Sequence, residues 1–70
     1  MDPKQCLLDA RMWLREECYH EVNECLFNYW HWRRQMGGFE PEVCGIDGDK
    51  FAREIFHRMT ERRGATNESN

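Results

Sequence analysis

The sequence predicts an all-α fold: a long N-terminal helix and a shorter C-terminal helix form an antiparallel hairpin, completed by a second copy into a four-helix-like dimer. Three observations carry this expectation. After Pro3, no Gly or Pro interrupts the chain until Gly37. Along that stretch, apolar side chains recur at helical spacing. As one helix of ~1.5 Å rise per residue it would be roughly 51 Å long, against about 28 Å for a compact chain of this length. A monomer cannot cover such a rod, so partner burial is expected.

The first helix has a clear start. Asp2 suits the N-cap, Pro3 the first helical position, and Gln5 the capping-box position three residues after Asp2. At ~100° per residue, Leu7, Leu8, Leu14, Cys18, Tyr19, Val22, Cys25, Leu26, Tyr29, Trp32 and Met36 fall in one arc. Leu14, Cys18, Val22, Cys25, Tyr29 and Met36 are its seam residues, spaced for lengthwise packing against another helix. The opposite face, from Asp9 through Glu16, Glu17, His20, Glu21 and Glu24, is polar and mainly acidic. Between Phe27 and Trp32 large aromatics point almost all round the helix, which calls for a second contact surface. The alternative cover for those rings is the segment 37–44 folding back over them.

Gly37-Gly38 ends the helix, with the second glycine expected in the left-handed conformation that closes the last turn. The connection, residues 39–47, carries Pro41 and Gly45, and residues 41–44 suggest one short helical turn. A second helix is expected from about Asp49 to Arg63, capped by Asp47 or Asp49 and ended by Gly64. Its buried stripe would be Phe51, Ala52, Ile55, Phe56 and Met59. Residues 1–64 then form one helical domain, and 65–70, without a large apolar residue, a flexible tail.

A chain of 70 residues supports a single core of small net stability, so some staple is expected. The opening residues do not read as a signal peptide, and no run is apolar enough to cross a membrane, so a cytoplasmic location is expected. There the four cysteines are expected as free thiols, which leaves self-association as the staple. The net charge of −3 gives no broad attraction to nucleic acid or anionic lipid.

Chemistry has little purchase. Glu17 and His20 match the Glu-x-x-His spacing of di-iron bundles, but they lie opposite the apolar stripe, where water suffices. The cysteines are 12, 7 and 19 residues apart, with no Cys-x-x-Cys to hold zinc. A Cys44 link to one of the helical cysteines, or a zinc site with His31 or His57, is the alternative, and the latter defines a third reading as a Cys/His metal-binding helical protein. No nucleophile motif or Gly-rich phosphate loop is present, so no catalytic residue, cofactor or metal is assigned.

The sequence therefore reads as a small non-enzymatic regulator or inhibitor of the kind phages and mobile elements encode, occupying the surface of another protein. Its binding residues would be Phe27, Trp30, His31, Trp32 and Arg34, with Phe39 from the loop, because Trp, Tyr and Arg dominate interface energies. The alternative is a nucleic-acid-associated transcriptional regulator using Arg53, Arg58, Arg62 and Arg63 on the second helix.

Overall fold

A tight turn at Glu16, Glu17 and Cys18 splits the expected rod in two. In the computed structural model, which describes residues 2–37 and 41–68 and side chains as far as 64, the order is α1 (Pro3–Arg15), α2 (Tyr19–Gln35), β1 (Glu42–Val43), β2 (Ile46–Asp47) and α3 (Gly48–Glu68). The break is a Schellman motif. Cys18 N–H donates to Trp13 O at 3.0 Å and Glu17 N–H to Leu14 O at 3.1 Å, while Glu17 sits in the left-handed region at φ 60°. That conformation normally favours Gly, so neither Gly nor Pro announces the bend. The molecule is 44 Å in its longest dimension, shorter than the ~51 Å rod.

The expected cap of α1 is present: Asp2 accepts from Lys4 N–H at 2.9 Å and Pro3 occupies the first helical turn, whereas the Gln5 side chain, expected in a capping box, donates to Asp9 at 2.9 Å. Its buried face is Pro3, Cys6, Leu7, Ala10 and Leu14. α2 returns against α1 and buries Val22, Leu26 and Tyr29. Of the expected seam, Leu14, Val22 and Tyr29 are buried, Cys18 and Cys25 are half-buried, and Met36 is exposed. The seam thus lies between two segments of one chain, and the length argument for a dimer falls with the rod.

Gly37, the first glycine of the pair, takes the left-handed conformation at φ 70° after Met36 closes α2; Gly38 lies outside the described residues. In place of the expected helical turn there is a two-stranded antiparallel hairpin, with Val43 opposite Ile46. Cys44 and Gly45 form its two-residue loop, and both have positive φ, the type I′ geometry that matches strand twist.

Asp47 caps α3, accepting from Asp49 N–H at 2.8 Å. Gly48 is required there. Its N–H donates to Pro41 O at 2.7 Å, and a Cβ would lie 2.8 Å from both Pro41 O and the Tyr29 hydroxyl. α3 runs through Gly64 to Glu68 instead of ending at Gly64, since a glycine in an exposed helix costs only about 1 kcal/mol and does not forbid the turn. Phe51, Ala52, Ile55 and Met59 enter the core as expected, together with Val43. Phe56 does not: it is 51 % exposed. Among the described residues no helix is long and apolar enough to cross a membrane.

Candidate functional site

Two anchors set α3 against the helical hairpin. At the start of α3, the Tyr29 hydroxyl and Arg33 Nε, the latter at 3.2 Å, both donate to Asp49 Oδ1, and Arg33 also donates to Gly37 O at 3.1 Å. Burial, and then the hydrogen bond to Asp49, push the Tyr29 phenol up from its ordinary pKa, so it stays a donor. Further along, Arg62 donates to Leu14 O at 2.9 Å, satisfying a carbonyl at the C-terminus of α1. With Asp49 beside the end of α2 and Arg62 near its beginning, α3 runs antiparallel to α2.

Between these two helices lies an open groove of about 530 Å³, lined by Asn23, Leu26, Phe27 and Trp30 of α2 and by Ala52, Arg53, Phe56 and His57 of α3. The spacings explain the lining. Asn23, Phe27 and Trp30 are i, i+4 and i+7 on one face, and Ala52-Arg53 and Phe56-His57 lie one turn apart on the other. Buried Leu26 and Ala52 form the floor. Phe27, Trp30 and Phe56 stand in its walls, exposed by 69 %, 36 % and 51 %. Trp30 is oriented by an edge contact with Tyr29, ring centroids 5.0 Å apart. That ties it to the Asp49 anchor.

The residues expected to bind a partner do not share one face. Phe27 and Trp30 are in the groove. Arg34 is exposed one turn beyond Trp30, and His31 is exposed with its ring against Trp32 at 5.1 Å. Trp32 is partly buried and packs on the core, and Phe39 lies outside the described residues. Phe56 and His57 complete the site from α3. Sequence reasoning missed them because Phe56 lies at the edge of a stripe that otherwise enters the core.

Of the four arginines considered for nucleic acid, Arg53 and Arg58 line one shallow depression with Lys50, Glu54 and His57, and Arg62 and Arg63 lie outside it. Arg53 lines the groove, Arg58 lines a second cavity of about 250 Å³ with Arg11 and Cys44, Arg62 holds Leu14 O, and Arg63 is exposed.

The turn at Glu17 takes the Glu-x-x-His pair off a common helix. His20, Glu21 and Glu24 do offer ligand atoms within 4.8 Å of one another, but His20 and Glu24 are solvent-exposed and already face each other at 3.8 Å. The four cysteines stand apart in burial: Cys6 is buried, Cys18 and Cys25 are half-buried and Cys44 is exposed. Burial, then the Asp9 charge, push the Cys25 thiol up to about 11, and Cys6 moves in the same direction for the same first reason. Both are poor nucleophiles at neutral pH. No protein-family model matches the chain, and neither a curated protein nor a solved structure matches it.

Proposed function

We propose that this chain is a small non-enzymatic regulator that binds another protein, and that its binding face is the α2–α3 groove. The observation that carries the reading is the convergence of Phe27, Trp30 and Phe56 from two helices around one open apolar trough. Monomers seldom leave contiguous aromatic surface in water without a partner for it. The occupant is a helix. A two-helix trough accepts a third helix lengthwise, and the seven rises from Asn23 to Trp30 span roughly 10 Å, two turns of an amphipathic helix anchored at i, i+4 and i+7. Its docking would turn the three helices of this chain into a four-helix packing with one helix supplied by the partner.

Magnitudes limit what the rings can do alone. At roughly 150–250 Å² per aromatic side chain, their exposed fractions leave on the order of 300 Å² of ring surface in water. Complete burial is worth about 7 kcal/mol at ~25 cal/mol/Å². Association opposes this with an estimated 4–15 kcal/mol. The rings therefore anchor a partner without securing a tight complex, and polar contacts at the rim must contribute.

The test is an amide-shift titration of the isotopically labelled chain with a synthetic amphipathic helix bearing Leu at i, i+4 and i+7. Shifts confined to residues 23–30 and 52–57, abolished in Phe27→Ala/Phe56→Ala, support the reading. Absence of binding at millimolar peptide to the folded chain refutes it.

A further inference from the structure

Resting on the groove as a helix-binding face, we infer that its occupant is an acidic amphipathic helix, with carboxylates beside the apolar stripe at the end that meets Arg34, Lys50 and Arg53. The chain as a whole carries −3, yet among the described residues no carboxylate lines the groove. Arg53 stands in its wall, Lys50 precedes it by one turn on α3, and Arg34 follows Trp30 by one turn on α2. Because α3 runs antiparallel to α2, these three cations gather at one end of the trough. Among the described residues none of their three side chains has an ion-pair or hydrogen-bond partner.

Most nearby acids are engaged elsewhere: Asp49 accepts from Tyr29 and Arg33, Glu61 meets His57 at 2.9 Å, and Glu24 faces His20. Glu54 lines the second cavity beside Arg11 and Arg58 and also shares a shallow depression with Lys50, Arg53 and Arg58, one carboxylate against three cations. The result is an apolar trough with an excess of positive charge at one end, which steers and registers a negatively charged helix.

A second copy fits less well. Two concave faces brought together leave both floors unfilled, whereas a convex helix fills one. The chain's own exposed apolar ridge on α1, Leu8 and Met12, is bordered by Lys4, Arg11 and Arg15 as well as by Glu16 and by Asp9, which already accepts from Gln5 at 2.9 Å. It offers no net negative charge to the groove. Residues 65–70 contain no large apolar side chain to serve as an anchor.

The experiment compares two synthetic helical peptides with the same Leu anchors, one with Glu and one with Lys at the flanking positions, titrated into the labelled chain at low and high salt. The acidic peptide should bind about tenfold tighter at low salt, a few rim pairs' worth. The ratio should fall toward one in molar salt, where the screening length is about 3 Å. In Lys50→Glu/Arg53→Glu, which alters exposed positions only, the preference should reverse. Equal affinities, or a preference for the basic peptide, overturn the charge inference and leave the groove reading standing. If neither peptide binds, both fall. Sedimentation velocity supplies the last arm: a wild-type dimer that Phe27→Glu/Phe56→Glu converts to a folded monomer would make the occupant a second copy and overturn the inference.

Discussion

Replacing Glu17 by Gly should stabilise this protein, and the sign of that effect separates the bent chain from a continuous helix. At φ 60° Glu17 holds a conformation that costs a non-glycine residue about 1–2 kcal/mol. Glycine removes that strain but brings roughly 0.5–1 kcal/mol of extra backbone entropy in the unfolded chain. The net expectation is a gain of about 0.5–1 kcal/mol. In an unbroken helix the same residue would be interior, and glycine would cost about 1 kcal/mol. Urea unfolding followed by circular dichroism reads the difference. With a slope near ~1 kcal/mol/M the midpoint should rise by about 0.5–1 M in the bent chain and fall by about 1 M in a rod. Two controls isolate the cause. Glu17→Gln removes the charge at the C-terminal end of α1 but keeps the Cβ, so it should recover little of the gain. Glu16→Gly acts at φ −82°, where glycine relieves nothing, and should be neutral or destabilising. A lowered midpoint in Glu17→Gly would refute the turn.

Other consequences can be checked on the same material. Gly48→Ala places a methyl 2.8 Å from a backbone carbonyl and from a buried phenol, neither able to swing away, and should destabilise by about 1–3 kcal/mol in urea unfolding. Tyr29→Phe removes a donor to Asp49 and should cost about 1–2 kcal/mol at neutral pH. Since folding raises the Tyr29 pKa, its contribution is complete below the ordinary phenol pKa of 10.0 and is lost as pH climbs beyond it; Tyr29→Phe should weaken that alkaline decline in unfolding midpoint. Alkylation by iodoacetamide at pH 8, mapped by mass spectrometry, should label exposed Cys44 first and Cys6 and Cys25 last, and early labelling of Cys25 would contradict its placement against the core.

The sequence made the helical class, the Asp2-Pro3 start of α1, the α3 cap to within two candidates, Asp47 and Asp49, and most of the α3 stripe legible, because each follows from local chemistry. The bend was hidden because glutamate occupies the left-handed position where glycine usually signals a helix end. Its trace was in the phase of the stripe. Pro3, Cys6, Leu7, Ala10 and Leu14 centre about one residue's rotation, ~100°, away from Val22, Leu26 and Tyr29. A single broad arc that admits Leu8 and leaves out Cys6 and Ala10 conceals that offset. The strand pair was written as Val43-Cys44-Gly45-Ile46, β-branched residues around a glycine-containing dipeptide, but Cys at the first turn position is a weak marker beside Asn or Asp. Half of the groove was visible as the surplus of aromatics around Phe27 and Trp30. The other half depends on where α3 lies against α2. That is set by Asp49 reaching Tyr29 and Arg33, twenty and sixteen residues away, and no local pattern announces it.

The fold-back at Glu17 builds the groove, and an intramolecular distance tests it most directly. Spin labels carried on unnatural side chains at exposed Lys4 and Asn28 leave the cysteines intact, and dilution with unlabelled chain removes distances between copies. With α1 and α2 packed side by side at ~8–10 Å between axes, dipolar spectroscopy should report a narrow distribution below about 25 Å. A distribution centred near 36 Å, the separation those positions would have along one straight helix, would contradict the bend and the groove together.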